Sequence, residues 1–400
     1  MSNQSRQRVI AALNFRQPDL LPLFENYWPA FIEQWRVAKG LSPQAVGRSI
    51  GNYYGSDVLT WGQALTRDIS LAHAINDYYG NDMLTAAADE SPWPSQRAKL
   101  EQTENHTISR NGWGNVSRTV KGAYFAEELS VALKERVDPD KLTFESPYLE
   151  SRYETPDALE FGNRYAIFAK TGGPFKRPSF LRGYMQFLLD IAEDPAWVKA
   201  CIERVMAHLT AVGVEQLRRH GPNLVGIQIN DDSCALNAPL MSPQTYERIC
   251  LPSLRKMVQA YKDAGASIVY MHCDGNVMPL VEMWVDVGID AIHPCEPRAG
   301  VDVFALHDQY GGKLAFIGAV DNNRILPAGS KTEIVAHIRA LAELGRDGGV
   351  VIGGHSIGPD ISIAHYEWAM AARRRYGMYK ALEGREPDCS PTTRRTIDGR

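Results

Sequence analysis

The amino-acid sequence predicts an α/β protein built as a (β/α)8 barrel, with its active site at the C-terminal ends of the barrel strands. Three observations lead there. The second half of the chain repeats a strand-then-helix unit five times in succession, which implies a parallel sheet covered by helices. Each apolar run stops at Gly, Asp, His or Pro, and ionisable residues stand at those ends: Asp232, His272 with Asp274, Glu296, Asp321 and His355. The chain is 400 residues long, enough for one such barrel with insertions.

Taken in order, Leu20 to Trp28 and Arg164 to Lys170 read as strands of the less regular first half. Between them lie aromatics, prolines and a predicted β-hairpin in NGWGNVSRTVKGAYF, an N-terminal-half insertion around the barrel mouth. Leu224 to Asn230 is the first clear strand of the second half, followed by a helical stretch from Met241 to Gly265. Ser267 to Cys273, Ile289 to Pro294, Lys313 to Gly318 and Val350 to Gly354 follow as strands, each with its helical segment behind it. Only part of an eight-strand set is visible, so a doubly wound open sheet is the second architecture. One domain spans 1–383, and the polar stretch 384–400 forms a mobile tail.

A hydrophobic share of 44% and a charged share of 22% are those of a globular protein. The net charge of −4 gives no basic footprint for nucleic acid and no attraction to an anionic membrane. The charged, proline-containing start is unlike a signal peptide, no apolar run is long enough to span a bilayer, and the six cysteines form no C-x-x-C pair. These features place the protein in the cytoplasm with reduced thiols, and a homodimer is compatible with them.

The segment Tyr270-Met271-His272-Cys273-Asp274-Gly275 carries the strongest chemical signal. Residues two apart on a strand share a face, so His272 and Asp274 project together at the strand end, and Cys273 packs the other way. A side-by-side imidazole and carboxylate bind a metal or form an acid–base pair; the alternative is a hydrogen bond that only caps the strand. Gly353 and Gly354 let the backbone turn sharply before His355, which then stands at the same mouth. Two imidazoles and one carboxylate make a zinc or ferrous site with open positions, and a histidine that touches substrate directly is the alternative.

Asp231 and Asp232 follow the strand ending at Asn230; one can manage a proton, and one can cap a helix. Glu296 is a further carboxylate at the mouth, Arg298 an anion clamp, and Asp321 is placed likewise. Glu25, after the apolar run Leu21 to Phe24, is a substrate contact or a fourth ligand, or else an exposed loop residue. Glycine-rich dinucleotide, phosphate-loop and serine-elbow motifs are absent, which removes support for those chemistries.

The sequence resembles the uroporphyrinogen decarboxylase superfamily from about Arg6 to about Tyr379. The resemblance lies in RQRVIAALNFRQPDLLPL, DDSCALNAPLMSPQTYERICLPSLRKM, YMHCDGNVMPLVEMWVDVGIDAIHPCEP, LAFIGAVDNNRIL and GGHSIGPDI. It implies a distorted TIM barrel and favours Asp232 over Asp231. True porphyrinogen decarboxylases of the family carry an Arg-Gln-Ala-Gly-Arg motif near the N-terminus, where PLFENYWPAF stands here. The chain is therefore more similar to the family's cobalamin-dependent methyltransferases. The thiol methyltransferases among them ligate zinc through His-x-Cys and a later Cys; the matching positions here are His272, Asp274 and His355.

The expected function is metal-assisted methyl transfer between a small methylated or methyl-accepting compound and a corrinoid. No D-x-H-x-x-G run is present, so a separate partner protein would bring the corrinoid. His272, Asp274 and His355 would hold a divalent metal, zinc first, with Asp232 or Glu296 managing the proton and Glu25, Arg298 and Asp321 binding substrate. The alternative is a metal-independent decarboxylase or lyase of a small carboxylate, clamped by Arg298, Arg324 or Lys170. A non-catalytic binder on a reused barrel is the third reading.

Overall fold

A computed structural model describes residues 4–41, 75–123, 126–153 and 165–379. The expected C-terminal tail and Cys389 lie outside the described residues. Seven parallel strands form one curled sheet in the order β1 (Met83–Ala87), β6 (Ala166–Gly172), β7 (Leu224–Asn230), β8 (Ile268–His272), β9 (Ala291–His293), β10 (Ala315–Ala319) and β11 (Val350–Gly353). Four antiparallel strands form a second sheet: β2 (Ala98–Gln102), β3 (His106–Arg110), β4 (Val116–Val120) and β5 (Glu127–Ser130). The fold is α/β with a TIM-like curl.

The parallel sheet does not close on itself by a continuous ladder. The segment Pro22 to Trp28 occupies the gap between β11 and β1. It bonds β11 through main chain, with Phe24 N–H donating to Ile352 O at 2.9 Å and Ile352 N–H to Pro22 O at 2.9 Å. Toward β1 the bonds are largely to side chains: Leu23 N–H donates to Asp82 Oδ2 at 3.0 Å, and Glu25 N–H to Asn81 Oδ1 at 3.1 Å. Those two side chains stand where a strand's carbonyls would be, so the expected strand over Leu20 to Trp28 is reduced to isolated bridges. Asp82 in turn is held by Arg373 Nη2 at 2.9 Å, Arg8 Nη1 at 2.6 Å and Ser5 Oγ at 2.7 Å, tying three distant parts of the chain together.

Two apolar layers flank the sheet. On the concave side, Phe168, Ile268, Tyr270, Ala291, Ile317 and Val351 pack with Val9, Ala12 and Leu13 of the helix Gln4–Leu13. On the convex side, Val269, Met271 and Cys273 join the helices that cover the sheet. The strict alternation of Ile268, Tyr270 against Val269, Met271 fixes the phase of β8: His272 belongs to the concave face. The covering helices start on ordinary caps. Asp194 accepts from Trp197 N–H at 3.0 Å ahead of Pro195–His220, and Ser330 with Glu333 forms a capping box ahead of Lys331–Leu344.

The antiparallel sheet lies in sequence between β1 and β6. It packs on the helix Lys176–Arg182, which follows the C-terminal end of β6: Asn115 Nδ2 donates to Phe180 O at 2.7 Å, and Leu133 N–H to Leu181 O at 2.7 Å. Where the sequence predicts one hairpin, four strands form. The five described cysteines outside the tail are buried and unbridged. No helix among the described residues is long and apolar enough to cross a membrane.

Candidate metal centre at the strand ends

Register delivers the site. Gly172, Asn230, His272 and His293 are successive partners across β6, β7, β8 and β9, so Asn230 and His293 flank His272 on its own face. Gly275, at φ +87°, turns the chain just after Asp274, and a Cβ there would meet Ala235 O at 2.4 Å. At the far edge, a Cβ on Gly353 would meet Phe24 O at 1.8 Å, so only glycine lets β11 approach the Pro22–Trp28 segment and carry His355 to the rim.

These elements bring His272, Asp274 and His355 together. One donor atom from each lies within 4.8 Å of the others. Asp274 Oδ1 is 3.5 Å from His272 Nε2 and 3.3 Å from His355 Nε2. The two imidazole centroids are 6.0 Å apart. Asp274 Oδ1 is buried and has no hydrogen-bond partner among the described residues. A divalent cation among these three atoms would satisfy that oxygen, and two nitrogens with one oxygen are a donor set that could hold Zn²⁺, Fe²⁺, Co²⁺ or Mn²⁺.

The electrostatics suit ligation as well. Burial, reinforced by His355, Lys170 and Lys176, holds the His272 pKa well below its ordinary value, so the ring is neutral with a free lone pair. Burial raises Asp274 to about 6, and the Asp232 and Glu296 carboxylates add to that. A nearby cation reverses such a shift, because it favours the charged carboxylate.

Asp232 lies 3.7 Å from His272 Nε2 through its Oδ1 and is ion-paired by Lys176 through its Oδ2. Asp231 has a different task. It is fully buried and accepts from Phe175 N–H and Lys176 N–H, both at 2.8 Å, which sets the turn that aims Lys176 at Asp232. Glu296 stands beside the Gly275 turn, accepting from Gly275 N–H at 3.4 Å and from Asn323 Nδ2 at 3.5 Å.

The other expected residues lie further from this cluster. Arg298 is exposed and donates to Asn323 Oδ1 at 3.1 Å. Asp321 is buried and its Oδ1 accepts from Asn323 N–H at 3.2 Å and Arg324 N–H at 2.8 Å, which shapes the loop after β10. Glu25, only 3% exposed, accepts from Gly354 N–H at 3.0 Å, next to His355, while its Oε2 has no partner among the described residues. Burial raises Glu25 to about 8, which makes it a neutral acid at pH 7.

Two residues enter the site that motif reading did not single out. His293 Nδ1 lies 2.6 Å from His272 Nδ1, with the rings stacked at 4.8 Å. Lys176 arrives through the Asp231 cap. The register of β8 with β9 is the signal that would have found the first; nothing local in sequence announces the second.

The family model described as Uroporphyrinogen decarboxylase (URO-D) matches residues 122–376. Among solved structures, a methyltransferase from Methanosarcina mazei is similar, with a TM-score of 0.62 at 17% identity over 93% of this chain and 98% of that one. A B12-independent methionine synthase from Shewanella sp. W3-18-1 gives a TM-score of 0.44 at 12% identity, over 90% of this chain and 97% of that one. No curated protein matches the sequence.

Proposed function

Because the chain belongs to the uroporphyrinogen decarboxylase family, we propose that it is a methyltransferase of that family, acting between a small methylated or methyl-accepting substrate and a corrinoid carried by a separate protein. The observation that carries the reading is the convergence of His272, Asp274 and His355 on one point, with an orphaned carboxylate oxygen at its centre. Methyl transfer is also what the similar structure from Methanosarcina mazei is named for.

A divalent ion bound there would supply Lewis acidity to the oxygen, sulfur or nitrogen that carries the methyl group. The chain's own residues supply the rest. His272 and His355 would each offer one ring nitrogen to the ion and Asp274 the single charge. Asp232, beside His272 and braced by Lys176, is placed to hold or release the proton that the heteroatom exchanges as it gains or loses its methyl. Glu296 braces the Gly275 turn and with it the direction of Asp274. The corrinoid partner would approach the open C-terminal face, where His355 and Asp274 are each 38% exposed.

The test is to incubate the metal-loaded protein with free cob(I)alamin and a panel of small methyl ethers, thioethers and methylamines. The expected result is methylcobalamin formation, seen in the visible spectrum and lost in H272A. Release of CO₂ from a small carboxylate, without methylcobalamin from any donor, would instead establish the decarboxylase reading.

A further inference from the structure

Beneath the His–Asp cluster the concave face carries polar groups that nothing satisfies. Lys170, Gln228 and Tyr270 are successive partners across β6, β7 and β8, one inward-facing position below Gly172, Asn230 and His272. Tyr270 is fully buried and its hydroxyl has no hydrogen-bond partner among the described residues. The same holds for Gln228 Oε1 and His293 Nε2, each side chain 3% exposed. The carboxylates of Asp232 and Glu90 favour the charged form of Lys170 without a hydrogen bond to it, and its charge is felt at both His272 and His293. Its two cationic neighbours are engaged, Lys176 by Asp232 and Arg177 by Glu90. A buried polar group without a partner costs on the order of 1–3 kcal/mol, and the two donors among these groups, the Tyr270 hydroxyl and His293 Nε2, with the Lys170 ammonium on the same wall, point to a ligand that accepts from them.

The donors specify which ligand. A metal held by His272 through Nε2 requires the proton of that ring on Nδ1, which then donates to His293 Nδ1. His293 is thereby protonated on Nε2, a donor like the Tyr270 hydroxyl and the Lys170 ammonium. Charge agrees. A divalent ion with Asp274 would leave one positive charge, Lys170 adds another, Lys176 with Asp232 cancels, and the Glu296 carboxylate removes one, so the site keeps a net positive charge. We infer that Lys170, on the same inward-facing row as Tyr270 and one layer below His293, forms an oxyanion subsite beneath the metal position, which takes the carboxylate of a small methyl-bearing acid. This inference rests on the methyltransferase reading for the word methyl and on this wall of the site for the word acid. Lys170, lowered to about 8 by burial and by Lys176 and Arg177, is still mostly protonated at pH 7.

Acetate is the probe. Its binding is measured by calorimetry on metal-free and Co²⁺-loaded protein, for the wild type, K170M and Y270F, with methanol as the uncharged control. K170M removes a desolvated cation, so folding is not at risk, and retention of the Co²⁺ absorption spectrum verifies the site. The expected result is that K170M weakens acetate roughly tenfold or more in both states, the scale of one charge-assisted hydrogen bond. Y270F should weaken it by a smaller factor, and methanol should be indifferent to both. Equal acetate affinity in wild type and K170M would overturn the subsite, because the anion would then sit on the metal alone. Failure to bind Co²⁺ with Lys170-dependent acetate binding intact would refute the metal reading and leave the subsite standing.

Discussion

Glu25 offers a test of the site's electrostatics that needs no substrate. Its carboxyl is 3% exposed, accepts one hydrogen bond from Gly354 N–H, and is raised from 4.5 to about 8 by burial. The sign follows from linkage. The folded state keeps a proton on Glu25 between pH 4.5 and about 8 that the unfolded chain has lost. The group's stabilising state is therefore complete below pH 4.5, and stability falls as pH rises through the window toward 8. By pH 7 the fall amounts to about 3 kcal/mol, at about 1.4 kcal/mol per pH unit. Glu25→Gln keeps the shape and an oxygen for Gly354 but cannot ionise. In urea melts followed by circular dichroism with chelator present, E25Q should match the wild type near pH 4 and exceed it by about 3 kcal/mol at pH 7. A difference that is the same at both pH values would refute the argument, and so would a less stable E25Q at pH 7.

Three further outcomes follow from the same geometry. Asp82→Ala strands the buried Arg373 guanidinium and removes the carboxylate that receives Leu23 N–H, so urea melts should show a loss of about 3–5 kcal/mol; a loss below about 1 kcal/mol would contradict it. His293→Ala removes the partner of His272 Nδ1 and should weaken Co²⁺ affinity roughly 10–100-fold in a competition titration, with His293→Asn recovering part through its side-chain oxygen. An unchanged affinity would show that His293 only fills space. Asp232→Asn should leave metal affinity unchanged while lowering methyl-transfer turnover about a hundredfold, the scale of one general acid–base group; a matching loss of metal would make Asp232 a ligand instead.

Much of this fold is legible in the chain because its strands announce themselves in two ways. Leu224–Asn230 and Ile268–His272 are apolar runs with sharp stops, and each stop is a functional end of the sheet. The period of two also places His272 and Asp274 on one face and Cys273 on the other, where it packs near Ser233 Oγ at 3.7 Å. Met83–Ala87 escapes such reading because MLTAA has neither alternation nor a β-branched run; its strand is made by pairing with β6. The four-stranded sheet is read only as a hairpin, since AKLEQ and EELS are mostly polar, their leucines Leu100 and Leu129 are exposed, and they gain their structure from neighbours. Asp321 has the same strand-end position as Asp274, yet its oxygens are taken by the following turn. Position predicts which residues reach the mouth, and only the turn decides where they point.

Metal stoichiometry and affinity test the central claim most directly. Purified wild-type protein, stripped and titrated with Zn²⁺ or Co²⁺, should bind a single ion per chain, and H272A, D274A and H355A should each lose that binding while keeping a cooperative urea transition. Full methyl-transfer activity in protein freed of metal, or undiminished affinity in all three variants, would contradict it.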